Sequence, residues 1–166
     1  ADYVPYLVQG FRDFEGDFIN TSLGERISYR AQNAGGAGAL QVAFFGGSTM
    51  FGVGQRDEHT IPSEVAKLAE DSGIAVEVHN FGYPSWVSWQ EFQYLERQLA
   101  EGRTFDLVVM YDGFNEFIVQ SFEQSQHPTH YGAAALREMA DDFQEQHEVP
   151  PAWGGTLRDL RDTYRR

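Results

Sequence analysis

A chain of 166 residues, 42% of them hydrophobic, is long enough for one domain with a genuine core and is neither disordered nor membrane-like by composition. The 25 acidic and 12 basic side chains leave a net charge of -13, a surface that repels phosphate backbones and speaks against nucleic acid as a partner. With no cysteine, disulfides, thiolate catalysis and cysteine-based zinc or iron–sulfur sites are excluded. The compartment stays open, with export or the cell envelope slightly ahead of the cytoplasm. No signal-peptide succession opens the chain, and no apolar run approaches the roughly 18 residues needed to cross a bilayer.

Residues 1–39 form one region, rich in aromatics and glycine. Tyr3, Tyr6, Phe11, Phe14 and Phe18 recur every three or four positions, but Pro5, Gly10 and Gly16 interrupt any long helix. A segment that wraps the core with aromatics is expected, followed by a flexible connector over Ala34–Ala39. Residues 40–166 form the second region, an α/β domain. Gln41–Phe45 reads as a buried strand ended by Gly46-Gly47. A helix opens at Thr60 and Pro62 and runs to about Asp71, with Val65, Leu68 and Ala69 inward and Gly73 as its stop. Ile74–Val78 is a second strand, ending at Asn80-Phe81-Gly82. A helix from about Val87 to Glu101 follows, with Phe92, Leu95 and Leu99 inward. Phe105–Tyr111 is the third strand, and Ala133–Gln146 and Leu157–Tyr164 read as helices.

Strands alternating with helices at this spacing predict a parallel sheet, whose site lies beyond the carboxyl ends of the strands. Those three ends deliver Ser48, Gly82 and Asn115. Glycines at 46 and 47 permit a tight turn that lifts the Ser48 hydroxyl into the crevice, where its own N–H faces an oxyanion. A plain turn or a phosphate cradle would look similar, although no Gly-Lys-Ser/Thr follows. Gly82 offers an unobstructed backbone N–H, or is an ordinary loop glycine. The Asn115 amide donates to developing negative charge without changing protonation, or else it caps the helix beyond.

Taken together, Phe45-Gly46-Gly47-Ser48-Thr49, Asn80-Phe81-Gly82 and Gly113-Phe114-Asn115-Glu116 resemble the blocks of the SGNH hydrolases, also called GDSL-type esterases and lipases. The likeness runs from about Val42 to Glu116 and includes the Thr60-Ile61-Pro62-Ser63 helix start. It implies a flavodoxin-like three-layer α/β sandwich and an ester hydrolase acting on acyl or acetyl esters of carbohydrate or lipid through an acyl-enzyme. By the resemblance Ser48 is the nucleophile, and Ser48 N–H, Gly82 N–H and the Asn115 side chain form the oxyanion hole. Gly47 and Glu116 depart from the family's usual Asp at each of those places.

The larger departure is the base. The family carries a late His preceded by Asp three residues earlier. No histidine here has Asp at that offset: His59, His79, His127, His130 and His147 are preceded by Arg56, Val76, Gln124, His127 and Gln144. The general base is therefore unassigned, with His130 and His127 as the only candidates, should their loop fold back. His59 and His79 read as structural or surface residues. The competing function is a binding or assembly module that keeps the crevice without its base.

Three strands also leave Phe105–Tyr111 at a sheet edge. We therefore expect an incomplete domain that lacks its C-terminal part, or an edge covered by a protein partner or a further segment of chain. Tyr83, Trp86 and Trp89 are placed either to stack on sugar rings or to pack a helix on the sheet. The terminal Arg158, Arg161, Arg165 and Arg166, interleaved with Asp159 and Asp162, suit an acidic partner or a solvated face. No cofactor motif is present, and His127-Pro128-Thr129-His130 is too sparse for a metal.

Overall fold

Val42 and Phe44 point to one side of the strand Leu40–Gly46, Ala43 and Phe45 to the other, and all four are buried. A strand covered on both faces is the mark of a parallel sheet between two helical layers. This computed structural model describes residue 4, residues 7–123 and residues 129–146. The chain divides into two compact units, Ala1–Tyr131 and Gly132–Arg166.

The first unit carries the sheet. Its elements are β1 (Thr21–Ser22), β2 (Glu25–Arg26), β3 (Leu40–Gly46), α1 (Ser48–Phe51), a 3-10 turn (Asp57–His59), α2 (Ile61–Asp71), β4 (Val76–Asn80), α3 (Ser88–Ala100), β5 (Leu107–Tyr111) and α4 (Phe114–Glu123). In the second unit, α5 spans Ala133–Gln146, as the sequence predicts. The helix expected over 157–164 lies outside the described residues, as do Tyr3 and Tyr6. No helix among the described residues is long and apolar enough to cross a membrane.

The sheet has five strands in the order β1-β2-β4-β3-β5. β3 pairs in parallel with β4 and with β5. This is the central 2-1-3 order of an open, flavodoxin-like α/β sheet. The expected strand count of three is corrected by β1 and β2, which come from the first 39 residues. They form a hairpin that pairs antiparallel with β4 through Arg26 and Asn80. Its two-residue loop, Leu23-Gly24, has positive φ at both positions, the turn geometry that matches strand twist.

One face of the sheet buries Leu7, Ala43, Phe45, Phe81, Tyr83, Trp86 and Tyr94, with Phe11 packed against them. The wrapping segment thus reaches the core through Leu7 and Phe11, whereas Phe14 and Phe18 are exposed. The other face buries Val42, Phe44 and Met50, with Val65 of α2 beside them. Deleting the Phe45 ring would cost about 3–5 kcal/mol.

Thr60 caps α2 by accepting from Ser63 N. The inward faces of both crossover helices differ from expectation. α2 buries Pro62, Ser63 and Ala66 while Leu68 is 65% exposed. α3 buries Gln90, Glu91, Tyr94 and Gln98 while Phe92 and Leu99 are exposed and Leu95 is partly buried. Polar residues win the inner stripe of α3 because two of them have backbone partners. Gln90 Nε2 donates to Leu7 O and Tyr94 Oη to Gly24 O, which satisfies buried polar atoms that would otherwise be costly.

The edge expected at the third strand is present. Among the described residues β5 pairs with β3 alone, and Leu107, Val108, Met110 and Tyr111 are exposed along it. The two added strands lie at the far end of the sheet and do not cover it.

Candidate active site

Gly46 at the end of β3 is paired with Tyr111 at the end of β5. The turns that follow therefore run side by side, and Gly47–Thr49 and Tyr111–Glu116 line one cleft of about 200 Å³. Ser48 is the first residue of α1 and is exposed. Its hydroxyl makes no hydrogen bond to a described residue, and its N–H, at the first helical position, has no intrahelical acceptor.

Asn115 comes from the opposite wall. It is the second residue of α4, so the helix-cap alternative for its side chain does not hold. Its amide instead crosses to α3's approach, donating from Nδ2 to Trp86 O at 2.6 Å. A primary amide carries two N–H groups, so one fixes the side chain and the second is available to the cleft. Gly47 is glycine for a spatial reason: a Cβ there would run into Asn115 Nδ2. The amide packs directly on the backbone that precedes the hydroxyl.

Gly82 does not line this cleft. Its N–H donates to Asn80 Oδ1 at 3.0 Å, and Asn80 Nδ2 donates to Met50 O at 3.2 Å. A Cβ on Gly82 would collide with the Met50 and Phe51 backbone. Glycine is needed there so that the second strand end can pass beneath α1. The structure thus brings Ser48 and Asn115 together, while the Gly82 N–H is committed to Asn80.

No histidine lines the cleft among the described residues. His59 Nδ1 meets Glu64 Oε1 at 3.1 Å. His79 lies between Glu25 Oε2 and Gln41 Oε1, each at 3.0 Å, and stacks on Phe81. His59 thus lies in an exposed surface pair, and His79 is a half-buried residue of β4. His130 Nδ1 donates to Tyr131 O at 2.7 Å, and His127 lies outside the described residues. Trp86 (0% exposed) and Tyr83 belong to the core, which removes them as stacking platforms. Trp89 remains exposed beside Phe92.

Three carboxyl groups surround the Asn115 turn, of which the sequence placed only Glu116 there, as the last residue of the third block. Glu116 accepts from Gly113 N at 2.9 Å and from Ser88 N. Burial opposes its ionisation, but the N–H groups of Ser88 and Gly113 outweigh it and hold the carboxyl below its usual range. Asp112 lines the cleft and is itself exposed; partial desolvation, opposed by Glu91 and reinforced by the Glu116 charge, raises its carboxyl. Glu91 of α3 is 0% exposed. Desolvation, then the facing Asp112 and the Glu116 charge, pushes its carboxyl up to about 10. The signal for Glu91 was its place, with Val87 and Tyr94, on one helical stripe.

Arg26 was also missed. It is 1% exposed, and its guanidinium donates to Phe51 O, Gly52 O and Gln55 O, each at 2.6 Å. It pairs with Asp57 Oδ1 at 3.1 Å. The loop that carries the chain away from Ser48 is therefore clamped from β2. Among the described residues, no group of three or more His, Asp and Glu is arranged to hold a metal ion.

No protein-family model matches the chain, and no curated protein does. Among solved structures, it is similar to AlinE4, an SGNH-hydrolase family esterase, and to two point mutants of that esterase. Sequence identity is 18%, with TM-scores of 0.46, 0.46 and 0.45. Each alignment covers 50% of this chain and 44% of the other, so the chain spans less than half the length of the structures it matches.

Proposed function

We propose that the chain carries a serine ester hydrolase site of the SGNH type, for acyl or acetyl esters of carbohydrate or lipid. The observation that supports this reading is the pairing of an exposed Ser48 hydroxyl, without a hydrogen bond to any described residue, with a pinned Asn115 amide across one cleft. In the proposed reaction, Ser48 Oγ attacks the acyl carbon and gives its proton to a base. The oxyanion that forms is met by Ser48 N–H and by the second N–H of Asn115. Collapse expels the alcohol, protonated by the base, and leaves an acyl-Ser48 ester. Water then adds to that ester, releasing the acid and restoring the hydroxyl. Gly82 contributes its N–H to this hole only if it exchanges Asn80 Oδ1 for the oxyanion.

The base is unassigned: the cleft's described lining holds no histidine. With Nδ1 donating to Tyr131 O, His130 would offer Nε2. The test is p-nitrophenyl acetate turnover by the chain, with Ser48→Ala as control. Turnover lost in the variant supports the reading. Equal rates for both would remove it and leave a binding module.

A further inference from the structure

Glu91 is the buried group that the proposed reaction does not use. It sits in the first turns of α3, fully buried, and neither carboxyl oxygen has a hydrogen-bond partner among the described residues. The charged groups facing it are carboxyls: Asp112 from the turn after β5, and Glu116 from α4. An isolated buried carboxylate is costly, and two neighbouring carboxyls cannot both ionise cheaply. One proton retained between Glu91 and Asp112 removes that conflict, and Asp112, exposed to water, is the natural partner to carry the charge.

The position of this pair gives it a consequence. Asp112 and Gly113 are the hinge between β5 and α4, three residues ahead of Asn115. The same turn is tied to the start of α3 twice already, by Asn115 to Trp86 O and by Glu116 to Ser88 N. Glu91, one turn further along α3, faces Asp112 of that turn.

We propose that Glu91 and Asp112 act as a carboxyl pair sharing one proton, and that Glu91 is thereby a positioning residue for the turn that holds Asn115 beside Ser48. Its value to catalysis rests on the ester-hydrolysis reading; the pair itself does not. Glutamine at 91 keeps a neutral donor in the same place. Leucine keeps the volume and removes the tie. Loss of the proton turns the tie into a repulsion, so the turn loosens at alkaline pH.

Two measurements on the full chain test this without any substrate. The first is hydrogen exchange of the backbone amides of residues 113–116, corrected for intrinsic rate, across a series from about pH 6 to about pH 10. Glu91→Leu should exchange about tenfold faster or more at every pH, whereas Glu91→Gln should stay within about twofold of wild type near neutrality and lose the alkaline rise. The second is the infrared carbonyl stretch of a protonated carboxylic acid near neutral pH, present in the wild type and absent from Glu91→Gln. Should Glu91→Leu fail to fold, the glutamine comparison and the infrared band still decide. Identical exchange in wild type and Glu91→Gln at alkaline pH, or no Glu91-dependent acid band, overturns the proposal. An inactive chain with both signals intact would overturn the hydrolase reading alone.

Discussion

Asn115 Nδ2 donates to the carbonyl of Trp86 at 2.6 Å, and Trp86 is wholly buried. The amide is thus anchored to a rigid aromatic core while its helix, α4, begins at the surface. Ser85, just before Trp86, has φ 69°, a conformation that side-chain-bearing residues rarely adopt. Backbone strain at that turn accompanies the presentation of the Trp86 carbonyl.

Asn115→Ala removes both the anchor and the oxyanion donor. On the ester-hydrolysis reading, kcat should fall roughly 100- to 1,000-fold with little change in KM. Stability should fall by about 1 kcal/mol. Steady-state kinetics and urea denaturation on the same preparation separate the two effects. A variant that loses stability but keeps kcat would leave Asn115 a purely structural residue.

Gly47→Ala tests the contact from the other side. Its φ of -76° suits alanine, so the backbone does not object; the new methyl meets the Asn115 amide instead. Displacing that amide should reduce turnover about as much as Asn115→Ala does, and the double variant should be no worse than either single one. Additive losses would mean that Gly47 acts independently of Asn115.

Arg26→Leu removes the cation paired with Asp57 and the guanidinium donor to three carbonyl oxygens, leaving Asp57 only its bonds from Asn20. A loss of about 3–5 kcal/mol is expected, as for breaking a buried ion pair by removing one partner. Arg26→Lys should rescue little of it, since a single ammonium cannot span that fork of acceptors. Thermal unfolding of the three proteins checks this; full rescue by lysine would reduce the clamp to its charge.

The pH dependence of stability has a definite sign at Glu91. Its carboxyl is raised to about 10 in the folded chain, so between the ordinary carboxylate range and that value the folded state holds a proton the unfolded state has released. The stability it contributes is full at acid pH and falls as pH rises. The urea midpoint of the wild type should therefore drop between about pH 5 and about pH 9, and that of Glu91→Gln should drop less. Parallel curves would show that position 91 takes up no proton on folding.

The central strands and their crossovers were legible because their signals are periodic and local. Within β3, Val42, Ala43, Phe44 and Phe45 form an apolar run, and Thr60-Ile61-Pro62-Ser63 announces its helix. Ser48 and Asn115 were legible because both follow strand ends directly. The inner stripe of α3 was not, since Gln90 is polar by type and its buried amide finds its partner, Leu7 O, far away in the sequence. The bond that Gly82 makes was hidden for a related reason: the acceptor for its N–H is the side chain of Asn80 two residues back, which also holds Met50 O. Nothing near Thr21–Arg26 marks its strands, each two residues long, as part of a sheet. Arg26 looks like any surface arginine until the loop of residues 51–57 closes over it.

That closure has an order in time. Arg26 leaves the ribosome before Gln55 and Asp57, which it will clamp, and well before Asn80, against which its own strand pairs. At roughly 5–20 residues per second, several seconds pass between Arg26 and Asn80. During that interval the hairpin has no sheet to join, and the loop behind Ser48 has its clamp but no floor. The hairpin that clamps the loop behind Ser48 thus depends on a strand that follows both of them in the chain.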